Sequence, residues 1–108
     1  MRLRGKRALI TGAARGIGFA FARAYIAEGA TVALADINES AVAAAAASLG
    51  PKAVPVQMDV TRQDSIDAGF AAATATMGGL DILINNAALF TAAPIVGITR
   101  ADYDTLFA

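Results

Sequence analysis

A chain of 108 residues with nine basic and nine acidic side chains has no net charge at neutral pH, so nothing in its balance steers it to nucleic acid or a charged membrane surface. It contains neither Cys nor His, which excludes a disulfide framework, a thiolate nucleophile, a sulfur-ligated metal and the usual general base. The length allows one domain with a modest core and is short for a complete doubly wound sheet. Four of the nine basic residues, Arg2, Arg4, Lys6 and Arg7, crowd the start, as a secretory signal would require. Gly12, Arg15, Gly16 and Gly18 then break the apolar region, and no run is long enough to span a bilayer. The expectation is a soluble cytoplasmic protein.

Arg7-Ala8-Leu9-Ile10 reads as a short apolar strand that turns at Thr11-Gly12 and enters a helix near Gly16. Strand, glycine turn and helix start are the physical recipe for holding a phosphate. The unpaired N–H groups of the first helical turn and the macrodipole favour an anion, and glycines let backbone approach it. The spacing is Gly-x-x-x-Gly-x-Gly over Gly12, Gly16 and Gly18. Gly12 is expected to make the tight turn, Gly16 the close approach and Gly18 the helix-to-strand contact. This is neither the commonest dinucleotide fingerprint nor a P-loop, and taken alone it also fits an ordinary strand-to-helix turn.

The first helix continues through Glu28 with Arg23 and Glu28 on its outer side, Tyr25 as a packing residue and Gly29 as its stop. Thr31-Val32-Ala33-Leu34-Ala35 reads as a second buried strand ending on Asp36, eighteen residues after Gly18 and near the spacing of an acid that binds a ribose. Such a carboxylate repels a 2′-phosphate and so favours NAD over NADP. Arg15 cuts the other way, either neutralising that phosphate or standing as a solvated loop cation.

Asn38 is placed to cap a helix over Glu39 to Leu49, ended by Gly50-Pro51. A third strand is expected over Ala53 to Met58, at a sheet edge because Pro55 has no N–H for a ladder. Asp59-Val60 follow it. Thr61-Arg62-Gln63-Asp64 reads as the cap of a helix from about Arg62 to Met77, closed by Gly78-Gly79. Leu80-Asp81-Ile82-Leu83-Ile84 is the fourth strand, apolar on both faces as a central parallel strand should be. Asn85-Asn86-Ala87-Ala88 then leads through a loop to a helical start at Thr99-Arg100-Ala101-Asp102. Without further context Asp59 also fits a helix-flanking acid, and Asn85-Asn86 a strand-ending turn. The βαβαβαβ order with right-handed crossovers predicts an open, parallel, doubly wound α/β sheet. The amphipathic ending Tyr103 to Ala108 has no cap, and a chain cut short is expected.

With Thr11 to Gly18, Asp36, Asp59-Val60 and Asn85-Asn86-Ala87-Ala88 in order, the sequence resembles the short-chain dehydrogenase/reductase family along essentially its whole length. Ala88 departs from the pattern, standing where glycine is more usual. Met1-Arg2-Leu3, Ala35-Asp36-Ile37-Asn38 and Asn86-Ala87-Ala88-Leu89-Phe90 with Ala93-Pro94-Ile95-Val96 look more narrowly like its bacterial sorbitol (polyol) dehydrogenase branch. The resemblance implies a Rossmann-type sheet truncated after the fourth strand and the start of the following helix, with residues 1–108 forming the N-terminal part of one NAD-binding domain. It implies that the main chain around Arg15, Gly16 and Ile17 holds the cofactor phosphates, Asp36 and Ile37 the adenosine ribose, and Asp59 and Val60 the adenine. Asn86 and Ala87 would lie beside the nicotinamide-side ribose. The implied parent is a homo-oligomeric enzyme exchanging hydride between NAD and a small alcohol or ketone.

In that family a tyrosine with a lysine four residues on handles the proton, helped by a serine and an asparagine. Here Tyr25 is followed at that distance by Gly29, and Tyr103 by Phe107, so none of the four catalytic groups is expected within these 108 residues. The alternative is a catalytically inactive nucleotide-binding or assembly fragment.

Overall fold

In the computed structural model, which describes residues 2–86, the apolar runs become four strands joined by three helices. The order is β1 (Arg7–Thr11), α1 (Gly16–Ala27), β2 (Thr31–Asp36), α2 (Glu39–Leu49), β3 (Ala53–Gln57), α3 (Gln63–Met77) and β4 (Ile82–Asn85). All pairings are parallel, in the spatial order β3-β2-β1-β4. This is the expected doubly wound α/β arrangement. The sheet grows one way from β1 through β2 and β3 and the other way to β4, so the order reverses beside β1. Open α/β sheets bind ligands at such a reversal, outside the carboxyl ends of the strands.

The period of two along each strand divides the core between two faces. Ala8, Ile10, Val32, Leu34, Ile82 and Ile84 face one side, where Ala22 of α1 and Val42 and Ala45 of α2 cover them. Leu9, Ala33, Ala35 and Val56 face the other and meet Ala73 of α3 together with Met58. Leu9, Ile10, Val32 and Leu34 are fully buried, each side chain contributing about 1.5–3 kcal/mol by leaving water. A Cβ on Gly69 would run into the terminal methyl of Met58, a flexible side chain that would have to shift.

Pro55 pairs in register with Leu34 on β3, one edge strand of the described sheet, where its missing donor costs no ladder bond; β4, expected to be central, forms the other edge among the described residues. Gly29, Gly50 and Gly78 take positive φ after α1, at the end of α2 and at the end of α3. Tyr25 packs on the core, and partial burial pushes its phenol above the usual range.

Three boundaries differ from the sequence reading. β3 ends at Gln57, although the Met58 N–H still donates to the Asp36 carbonyl at 2.9 Å. α3 begins at Gln63, and Thr61 does not cap it, because its hydroxyl donates to Asp59 Oδ1 at 2.6 Å. β4 starts at Ile82 and includes Asn85, which pairs with Thr11. The cause of that last shift is Asp81. Its carboxylate accepts the Arg7 backbone N–H at 2.9 Å and the Arg7 Nε–H at 3.1 Å, while the Asp81 N–H donates to the Arg7 carbonyl at 2.8 Å. Arg7 also donates through its guanidinium to the Gly78 carbonyl at 2.7 Å. The loop following Asn86 and the helix expected from Thr99 lie outside the described residues.

The Arg7 guanidinium holds the Asp81 carboxyl below the ordinary carboxylate range. A carboxylate depressed by folding stabilises the native state above its unfolded value, and that contribution disappears as pH falls through the folded one. Urea midpoints of the protein and of Asp81→Asn should therefore differ near neutral pH, and the gap should begin to narrow as pH falls below about 4 and close only below the depressed folded value. A gap independent of pH would show that the clamp does not act through its charge.

Candidate functional site

At the carboxyl ends of the strands lies a crevice of about 780 Å³. Its floor is the turn between β1 and α1. Gly12 makes the bend at φ 63° and Gly16 opens the helix at φ 65°, a region that side-chain-bearing residues seldom adopt. Space is open where a Cβ on Gly16 would stand. No side chain caps the amino end of α1 and its first turn holds no acid, so these backbone donors are left for something outside the helix. α2 differs: Asn38 accepts the Ala41 N–H at 2.9 Å and Glu39 lies in the first turn.

Gly18 sits behind the turn. A Cβ there would strike the Gly12 carbonyl oxygen and stand 2.7 Å from Asn86 Nδ2. Asn86 donates through that nitrogen to the Gly12 carbonyl at 3.2 Å. Its Oδ1 is buried with no hydrogen-bond partner among the described residues. Next to it Thr11 donates its hydroxyl to Asn85 Oδ1 at 2.8 Å. Asn85 thus serves the β1–β4 pairing, not a turn.

The end of β2 supplies one wall. Asp36 is half-buried; Oδ2 accepts the Ala14 N–H at 3.1 Å and Oδ1 the Asn38 N–H at 3.2 Å. Ile37 follows it and Ile17 faces the crevice from α1, exposed at 61% and 62%, unusually wet for such apolar side chains. The end of β3 supplies the other wall through Asp59 and Val60. The Thr61 hydroxyl and N–H both donate to Asp59 Oδ1, at 2.6 and 2.9 Å, and hold its carboxyl below the usual range. The Asp59 N–H donates to Ser65 Oγ at 2.8 Å. Asp59 is therefore a turn-former as well as a crevice wall.

Nine of the residues singled out in the sequence line this crevice: Gly12, Arg15, Gly16, Ile17, Asp36, Ile37, Asp59, Val60 and Asn86. Gly18 lies beneath them, and Ala87 is outside the described residues. Arg15 is exposed and makes no ion pair among the described residues. Ala14, Asn38 and Thr61 also line the space without having been marked for it. The Asp-x-Thr spacing was a usable signal for Thr61, since such a pair closes an Asx turn. No cluster of potential metal ligands occurs among the described residues, and no helix there is long and apolar enough to cross a membrane.

Gly18→Ala should cost about 1–3 kcal/mol in denaturant unfolding, because its methyl group meets backbone that cannot swing away. Gly16→Ala meets no atom and should cost only the left-handed backbone term, about 1–2 kcal/mol. Equal spectral change at Asn86 in the two variants would contradict the assignment of the close contact to Gly18 alone.

The profile of the short chain dehydrogenases matches residues 6–108. Sorbitol dehydrogenase of Cereibacter sphaeroides is 61% identical over 108 residues, covering all of this chain and 42% of that enzyme. Galactitol 2-dehydrogenase of Agrobacterium fabrum is 53% identical over 99% of this chain, again 42% of the relative's length. The chain thus spans less than half of the curated relatives it matches. Among solved structures, 3-ketoacyl-(acyl-carrier-protein) reductase from Brucella melitensis complexed with NADH superposes with a TM-score of 0.74 at 30% identity, covering 96% of this chain and 48% of that one. With profile, fold and strand-end crevice in agreement, the chain belongs to the short-chain dehydrogenase family.

Proposed function

We propose that residues 1–108 form the amino-terminal part of a single NAD-binding domain, in a dehydrogenase that moves a hydride between NAD and a polyol or similar secondary alcohol. The observation that carries this reading is the convergence on one crevice of the uncapped first turn of α1, opened by Gly16, and the carboxylate of Asp36. The main chain of Arg15, Gly16 and Ile17 holds the diphosphate, where the helix end favours negative charge. Asp36 accepts from the hydroxyls of the adenosine ribose, with Ile37 against the sugar, and Asp59 and Val60 border the adenine. By the family resemblance Asn86 and Ala87 are assigned to the nicotinamide-side ribose, and Asn86 lines the crevice.

Bound NAD supplies the hydride acceptor. The chain's own residues bind and orient it, and proton transfer falls to groups outside these residues, since no Tyr-x-x-x-Lys occurs in them. Support for a polyol comes from the sorbitol and galactitol dehydrogenases among the relatives. Support for NAD over NADP comes from the acid that closes β2, which repels a 2′-phosphate.

Calorimetric titration should give saturable NAD binding and at least tenfold weaker NADP binding, about 1.4 kcal/mol. Gly16→Val, which fills the open space, should abolish both. Preference for NADP, or NAD-dependent sorbitol oxidation by these 108 residues alone, would overturn the assignment.

A further inference from the structure

We infer that Asp36 is a positioning residue for the glycine turn: its carboxylate latches the turn in shape and so controls binding of ligand groups it never touches. The inference rests on the nucleotide reading above and extends it. The turn between β1 and α1 carries two residues at positive φ, Gly12 and Gly16, and an unsupported stretch between such hinges samples many shapes. Side chains fasten it at two points. Asn86 holds the Gly12 carbonyl at 3.2 Å, and Asp36 Oδ2 holds the Ala14 N–H at 3.1 Å. The neighbouring Ala13 N–H donates to the Ala35 carbonyl at 3.1 Å, so the end of β2 carries the turn through two consecutive amides. The other oxygen, Oδ1, accepts the Asn38 N–H at 3.2 Å, which prevents the carboxylate from rotating away at no cost.

A carboxylate offers about four lone-pair sites on two oxygens. Two backbone N–H groups use part of this capacity and leave room for ribose hydroxyls, so both tasks fit one side chain. A neutral amide has a single accepting oxygen and can serve only one of the two N–H groups. Alanine serves neither, and the Ala14 N–H must then turn to water. Removing the acid to admit a 2′-phosphate would therefore loosen the turn that binds the diphosphate of either cofactor. This explains in advance why neutralising the acid would weaken NAD without an equal gain for NADP.

The test compares the protein with Asp36→Ala and Asp36→Asn. Amide hydrogen exchange is followed by NMR without ligand, and each is titrated with NAD and with nicotinamide mononucleotide, which has a phosphate but no adenosine ribose. The Ala14 amide should exchange about tenfold faster or more in Asp36→Ala, with Asp36→Asn intermediate. Leu9 and Leu34 amides should keep their protection, which reports that the sheet is intact. Nicotinamide mononucleotide should bind several-fold more weakly to Asp36→Ala. Unchanged Ala14 exchange, or unchanged mononucleotide affinity with weakened NAD, would overturn the latch and leave Asp36 a ribose contact. If the unaltered protein binds neither nucleotide, the proposed function fails, and Ala14 exchange still decides whether Asp36 fastens the turn.

Discussion

The absence of a side chain at Gly18 lets α1 begin against the carbonyl of Gly12, and the geometry of the crevice follows from that contact. It brings the first turn of the helix over the end of β1, so its unpaired N–H groups face the space beyond the strands and not the core. The same carbonyl takes the amide of Asn86 from the end of β4. One backbone oxygen thus meets a helix from one side and a strand end from the other.

Parallel pairing carries this local arrangement across the sheet. The register sets Thr11 beside both Ala35 and Asn85, and Asp36 beside Gln57. All four strands therefore finish at one edge, and whatever follows each of them is delivered to the same place. The glycine turn, Asp36-Ile37, Asp59-Val60 and Asn86 come from four separate stretches of sequence, yet share a single crevice because four strands point the same way. The amino ends of β1 and β4 are closed by Arg7 and Asp81, at the opposite end of β1 from the crevice.

What could be read in the sequence was what local rules govern. The apolar runs, the glycines at helix ends, Asn38 as a cap and Pro55 as an edge marker all act within a few residues of themselves, and each stands in the structure apart from the shifted ends of β3 and β4. The residues misplaced were those whose partners lie far away. Asp81 was counted into a strand because nothing nearby shows that it will seize Arg7, and Asn85 was left beyond the strand, with a strand-ending turn as one of its readings, because its hydroxyl donor, Thr11, is 74 positions earlier. Thr61 failed differently: two short-range bonds competed for one hydroxyl, and the Asx turn at Asp59 won over the helix cap. The crevice residues were named as a set by the family resemblance, and their positions after successive strands explain why they meet. That Asp36 also braces Ala14 could not be read, since it depends on how the turn folds back across β2.

The pairing of β1 with β4 has a consequence for how the molecule acquires its shape. β1 is the second strand to be flanked on both sides, yet its second neighbour arrives only after three helices and two strands have been laid down. Closing that span is the least local event in the described sheet, and entropy opposes it until the contacts on both sides are ready to form. Asn86 reaches the Gly12 carbonyl only once that closure has happened. A chain still emerging from synthesis would therefore carry its glycine turn half-secured until Asn86 arrives to hold the Gly12 carbonyl.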